Sequence, residues 1–368
     1  MATVTDATIK DGDDRNRSSH GFLSDWVKGH ILIYGEMSSN DLLAYEAVAP
    51  LVSLNLRYRR LSSKSEIYSV GLSSSVRSPA AYATFNGGQM DQTWLDMFDL
   101  NTQRGYSKIA GGHAVFSPPV KSGQTRVAAL RDWTVQLGSG VEYKHSSTVM
   151  VRDFTTGKTA VELKAARSEP VVWSADGAAI AAGEASGNRI GVWDARTGAL
   201  LGRVVAHIDK VSFAAFTPDM KLVTASRDGT LRLSNPTTSK TIAKLEIEGP
   251  GASNPRALAV SPDGSTIVSI WGSTVHIWLP KASHLTSYTL ASVRRKEGFP
   301  LAISPDCRYI VSWTEDGFDI MDVASGNVVA ERDGGALVTA AAFSADASVL
   351  LLGRMDGFVE AWDVSTKQ

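Results

Sequence analysis

The stretch "IGVWDARTG" (residues 190–198) decides the fold, because the same phrase returns as "VEAWDVSTK" at residues 359–367. Each copy reads as apolar strand residues, then Trp-Asp, then a polar turn with Thr. Either the match is chance or one unit has been copied along the chain, and a repeat, if present, governs the whole architecture.

A second phrase travels with the first. It reads "VVWSADGAAIAAG" at 171, "AAFTPDMKLVTAS" at 214, "LAVSPDGSTIVSI" at 258, "LAISPDCRYIVSW" at 301 and "AAFSADASVLLLG" at 341. Each is a short apolar strand, a Ser/Thr-x-Asp turn and a second apolar strand. The turn chemistry is coherent: Ser or Thr opens it, Pro pre-sets φ where present, and Asp bonds nearby backbone. The turn hydroxyls fall at Ser174, Thr217, Ser261, Ser304 and Ser344, at intervals of 43, 44, 43 and 40 residues.

A third strand follows each pair and ends in the Trp-Asp slot. The slot reads Trp193-Asp194, Ser234-Asn235, Trp278-Leu279, Met321-Asp322 and Trp362-Asp363, and upstream Arg152-Asp153 and Phe98-Asp99 take it. A fourth, more polar strand such as "ALLGRVVAH" at 199 leads into the next unit. Four short antiparallel strands every 40–45 residues describe one propeller blade.

On these residues the chain resembles the WD-repeat β-propeller family over residues 51–363, strongly from 149 onward. Seven slots imply an all-β protein of seven four-stranded blades. The first outer strand, "LVSLNLRYRR" at 51, is expected to complete the last blade, the closure by which such rings remove sheet edges. Residues 1–28 are expected to be a polar, disordered tail, and 29–50 extra strands or part of an eighth blade, the alternative count.

Bulk composition bounds the partners. The 368 residues carry a net charge of −1, with 43% hydrophobic and 20% charged residues, which is ordinary globular composition. Near-neutral charge offers no electrostatic attraction for nucleic acid or an anionic membrane. One cysteine, Cys307, rules out an internal disulfide framework and suits a reducing compartment. The first residues lack the apolar core of a secretory signal, so an intracellular, cytoplasmic or nuclear location is expected.

Few residues invite a chemical reading. The family often joins a His, a Ser or Thr, an Asp and the slot Trp in a hydrogen-bonded tetrad. The resemblance places His207, Thr224 or Ser226, and Asp228 in it, but with Ser234 in the slot. No blade has all four members. His207, Asp228 and Ser226 also mimic a catalytic triad, although their positions match the scaffold network. The histidines (His20, His30, His113, His145, His207, His276, His284) show no metal-ligand spacing, so neither metal nor cofactor is expected. The Gly-rich pieces at 86 and 138 precede no helix and read as turns. The basic runs 57–60 and 293–298 read as strand faces or docking patches.

Function is expected on loops. Between the second and third strands of one blade lie 17 residues, "RDWTVQLGSGVEYKHSS" (131–147), where other blades use about four. Long loops on rigid scaffolds are disproportionately functional, and Trp133 and Tyr143 are typical interface anchors. The alternative is a hairpin that extends the blade. By strand register Arg131, Glu184, Ser226, Trp271, Thr314 and Arg354 approach the same face, with Trp271 and Arg354 expected as exposed rim residues. Trp313 should point into the sheet packing. The expected function is a non-catalytic scaffold binding proteins or peptides; the alternative is an enzyme or small-molecule binder with a pocket at the channel mouth.

Overall fold

A computed structural model describes residues 52–366, apart from residues 64, 74–79, 87–92, 103, 111–112, 119–124, 138–141, 250, 282–283, 290–299 and 315–316. The expectations for 1–28, 29–50, 138–140 and 293–298 therefore lie outside the described residues. Among those described there are strands and turns but no helix.

The strands form seven antiparallel sheets of four. Blade 1 is β2 (Ile67–Leu72), β3 (Ala80–Asn86), β4 (Thr93–Asp99) and β5 (Gly105–Ala110). Blade 2 is β6 (Ala114–Phe116), β7 (Arg126–Leu137), β8 (Glu142–Asp153) and β9 (Thr159–Leu163). Blade 3 is β10 (Ala166–Trp173), β11 (Ala179–Glu184), β12 (Ile190–Asp194) and β13 (Leu200–Val204). Blade 4 is β14 (Val211–Phe216), β15 (Leu222–Ser226), β16 (Thr230–Asn235) and β17 (Lys240–Glu246). Blade 5 is β18 (Pro255–Val260), β19 (Ile267–Trp271), β20 (Thr274–Leu279) and β21 (His284–Thr289). Blade 6 is β22 (Pro300–Ile303), β23 (Tyr309–Thr314), β24 (Gly317–Asp322) and β25 (Val328–Asp333). Blade 7 is β26 (Val338–Phe343), β27 (Val349–Arg354), β28 (Phe358–Thr366) and β1 (Val52–Leu61). The first strands of blades 1 to 7 pack side by side in chain order, and β26 returns onto β2. That is a closed seven-bladed propeller.

Each repeated phrase has a local cause. In the Ser/Thr-x-Asp turns the hydroxyl donates to the Asp carboxylate: Ser174 to Asp176 at 2.6 Å, Thr217 to Asp219 at 2.6 Å and Ser344 to Asp346 at 2.6 Å. It also accepts the N–H of the next strand, as from Ala179 at 2.9 Å and Val349 at 2.9 Å. The third residue after the hydroxyl turns left-handed, at Gly177 (φ 68°), Met220 (φ 63°), Gly264 (φ 69°), Cys307 (φ 60°) and Ala347 (φ 57°). The geometry persists where glycine is absent, at about 1–2 kcal/mol of backbone strain per residue. The slot aspartate closes the next turn: Asp194 accepts Thr197 Oγ1 at 2.7 Å, and Asp99, Asp153 and Asp322 repeat the bond with Thr102, Thr156 and Ser325.

The core lies between the blades. One apolar cluster fills each of the seven junctions; Ala128, Val149 and Val151 of blade 2, for example, meet Ile180, Ala182 and Trp193 of blade 3. Ala179 and Ala181 on the opposite face of β11 meet Val211 and Leu222 of blade 4. Both faces of an inner strand are thus buried, which explains continuous apolar runs such as "AIAAG" instead of strict alternation.

Closure is made by β1, which pairs antiparallel with β28 from Val52↔Thr366 to Leu61↔Phe358. The basic run 57–60 belongs to this seam. Arg57 meets Asp363 at 2.8 Å, and Arg59 meets Asp356 at 3.1 Å and Glu360 at 3.2 Å. Arg60 reaches across to Asp96 of blade 1 at 3.3 Å. In the last copy of the phrase the Asp363 carboxylate pairs with Arg57 of β1. Residues 57–60 are a strand face, as the blander expectation held.

Ending the chain at residue 345 would remove β27 and β28, strand β1 its partner, and two junctions their blade-7 half. The expected outcome is cooperative loss of the whole fold, read by circular dichroism during heating. A truncated chain that melts like the full one would refute this dependence on closure.

Candidate functional site

One face of the ring collects the connections between second and third strands, together with those that lead from each fourth strand to the next first strand. Blade 4 shows how that face is held. His207 precedes β14, Thr224 lies in β15, and Asp228 sits in the β15–β16 turn, which Gly229 (φ 77°) allows to be tight. His207 Nδ1 lies 2.9 Å from Asp228 Oδ2, and Nε2 lies 2.7 Å from Thr224 Oγ1. A carboxylate only accepts, so Nδ1 carries the proton and Nε2 accepts from the Thr224 hydroxyl. Thr230 Oγ1 donates to Asp228 Oδ1 at 2.6 Å, and the Ile208 N–H donates to Oδ2 at 3.2 Å.

This is a buried strut. Burial pushes the His207 imidazole below its ordinary range, more strongly than Asp228 draws it up. Burial likewise raises Asp228, but bonds from Thr230, His207 and the Ile208 N–H outweigh that and hold its carboxyl below the usual range. Ser226 is bonded to backbone instead: its hydroxyl donates to the Asp209 carbonyl at 3.0 Å and accepts the Asp228 N–H at 3.2 Å. Thr224, not Ser226, therefore completes the network, and the triad-like trio does not assemble. Cys307 is buried, and that burial, aided by Asp306, pushes its thiol up to about 12. Among the described residues no group of three His, Cys, Asp or Glu side chains could hold a metal ion.

The expected rim residues divide. Glu184 and Thr314 are half-buried at strand ends, and Glu184 Oε1 accepts from Arg203 Nε at 2.6 Å. Trp271 and Arg354 are only 1% and 3% exposed, which corrects the expectation of an exposed Trp–Arg rim. The reason is that the ladders run further than the turn spacing suggests. Trp271 still pairs with Pro255, and Arg354 with Val338, inside sheets covered on both faces. Trp271 packs against Val223, Ala225 and Leu231 of blade 4. Arg354 Nη2 meets Glu360 Oε2 at 2.8 Å, the oxygen that Trp362 Nε1 also approaches at 3.2 Å, while Arg59 takes the other carboxylate oxygen. Trp313 packs partly buried beside the junction of blades 6 and 7, in line with expectation.

The 131–147 insertion is a ribbon in its backbone. Strands β7 and β8 pair over twelve consecutive positions, from Arg126↔Asp153 to Leu137↔Glu142, with no register shift. The extended-hairpin alternative, not an irregular loop, describes it. Arg131 stands opposite Thr148, Trp133 opposite Ser146 and Tyr143 opposite Gln136; their side chains lie outside the description. Arg167 Nη1 donates to the Ser147 carbonyl at 3.0 Å at the base of the ribbon.

Two residues on this face were missed by reading the sequence. Ile208 is 87% exposed beside the His207 strut, and Met355 is 53% exposed in the β27–β28 turn. The available signal was an apolar residue in a turn, which strand periodicity ignores. Ile208 borders a cleft of about 330 Å³ with Arg232, Lys244 and Glu246. A second cleft, of about 310 Å³, lies among Arg167, Glu184, Ser186 and Arg189.

Comparison with known families gives a match to the family described as WD domain, G-beta repeat, over residues 198–234. That span holds β14, β15 and the His207–Asp228 network. No curated protein matches the chain.

Replacing His207 by Ala should cost about 1–3 kcal/mol, because Asp228 and Thr224 lose a buried partner. The strut also predicts a pH dependence. The folded His207 binds its proton more weakly than the unfolded chain, whose ordinary value is 6.5. Its contribution to stability is therefore complete above about pH 6.5 and declines as the pH falls below it. His276, also lowered by burial, adds the same sign. Urea unfolding at pH 7.5 and 5.5 should show a loss of stability in the native chain and a smaller one in His207→Gln. Equal losses would refute the assignment.

Proposed function

The chain is a WD-repeat β-propeller, and from that premise we propose that it acts as a non-catalytic scaffold that binds one or more proteins. The observation that carries this reading is the β7–β8 ribbon. The described turns between second and third strands in the other blades close within a few residues, whereas here the pairing continues six residues past Arg131. A rigid ring places such an extension without deforming elsewhere, so the ring can vary one hairpin and keep its core.

The rest of the face supports the same reading. Ile208 and Met355 stand exposed on it, and isolated apolar side chains among charged neighbours suit the core of a small contact patch. The polar groups that resemble catalytic machinery are committed to each other. His207 is buried between Thr224 and Asp228, so its imidazole is not offered to the neighbouring cleft. An intracellular site of action fits the single buried cysteine and the near-neutral charge.

The test separates folding from binding. Replacing both Trp133 and Tyr143 by Ala should change stability by only about 0.5 kcal/mol, as for exposed positions. It should weaken partner binding by about 2 kcal/mol, some thirtyfold in affinity. Ile208→Ser with Met355→Ser should likewise leave the melting temperature in place and reduce capture of proteins from the native cell. If both pairs of substitutions leave every co-purifying protein in place, the proposed binding face is wrong.

A further inference from the structure

The edges of the ribbon follow from two hydrogen bonds. The Leu130 N–H donates to the His113 carbonyl at 2.9 Å, so at Leu130 the backbone of β7 faces the β6 side. Backbone direction alternates along a strand. The N–H and C=O groups of Asp132, Thr134 and Gln136 therefore face the same side as those of Leu130. The Arg167 bond to the Ser147 carbonyl checks this independently. Ser147 stands opposite Asp132, and opposed residues of a pair both face inward or both face outward. Ser147 faces outward, so Asp132 does as well.

The β6 strand covers only Ala114–Phe116 and pairs with Val127–Ala129. Beyond Leu130, no strand among the described residues pairs with the outer side of β7. Over Asp132–Leu137 this edge has no Pro, no Lys and no bulge, and Asp132 at its base is its one charged residue. The two ribbon edges also differ. On β8 the Ser147 carbonyl is already taken by Arg167, and Glu142, Lys144 and Ser146 alternate as polar positions. On β7 the residues that alternate with the outward-facing backbone are Trp133, Val135 and Leu137, which share one face of the ribbon by register.

We infer that the β7 edge over Asp132–Gln136 pairs with an extended strand of a partner protein, a strand carrying apolar residues at alternate positions. Three residues offer six backbone groups to the incoming ladder, and the Trp133–Val135–Leu137 row sets which of its faces is apolar. Main-chain bonds supply affinity and the alternate side chains supply selectivity, as in strand addition generally. This inference rests on the scaffold reading and adds to it the mode of binding.

Thr134→Pro tests it, because Pro removes an N–H that faces away from β8 and is tolerated on an outward edge. Full-length wild type, Thr134→Pro and Thr134→Ala are purified from the native cell with their bound proteins. Any protein lost at least tenfold from Thr134→Pro but kept by Thr134→Ala is then purified and added back to wild type. Amide exchange at Asp132, Thr134 and Gln136 should slow at least tenfold in that complex. This second readout uses wild type only, so it decides the matter even if Thr134→Pro folds poorly. The inference is overturned if Thr134→Pro retains every partner, if those amides are not slowed by the partner, or if they are already slow in the isolated chain. It is also overturned if raising the concentration of the isolated chain slows them, since the occupant is then a second copy. Wild type that captures no protein at all would remove the scaffold reading itself; captured partners indifferent to Thr134 would remove only the strand addition.

Discussion

The structure depends on one strand pairing, that of β1 with β28. A sheet of four strands has two edges, and a row of seven such sheets would have two unpaired ends. Because β1 lies in sequence before blade 1 but in space on blade 7, the ring shuts, and no end blade is left with an exposed apolar face. The arginines of β1 reinforce the seam. The Arg57 pair with Asp363 is partly solvated and contributes little by itself. Arg59 matters more, because it shares Glu360 with the buried Arg354. A buried carboxylate that lost one of these partners would be left undercompensated.

Closure explains why the repeats can be imperfect. The slot is Phe98, Arg152, Trp193, Ser234, Trp278, Met321 or Trp362, yet every sheet has four strands. Stability comes from the apolar junctions and the backbone ladders, and these need a pattern, not an identity. Blade 4 keeps the buried His207–Asp228 strut but has Ser234 in the slot; blade 5 keeps Trp278 and fills its junction with Trp271. Different blades preserve different fragments of the same network.

Function is to be sought where the repeat is broken. The ribbon of blade 2 is the largest departure among the described residues, and it leaves a backbone edge that a regular blade would not have. Ile208 and Met355 are smaller departures on the same face, where apolar side chains replace the polar residues usual in turns.

The sequence by itself determined the all-β class, the repeated units and the turn chemistry, while the closing role of β1 came from the family resemblance. The first three follow from local hydrogen bonding and from a period of 40–44 residues, both written along the chain. The resemblance to the propeller family pointed to His207 and Asp228 and left Thr224 or Ser226 open between them; the structure chose Thr224. Tertiary structure alone decided the burial of Trp271 and Arg354, because that depends on how far a neighbouring blade covers the strand end. It also decided the pairing of Arg59 with Glu360, which joins opposite ends of the chain. The β7 edge past Leu130, with which no strand among the described residues pairs, is the same kind of feature. That β7 is long is visible in sequence, but that β6 stops short beside it is a matter of which backbone groups meet in space.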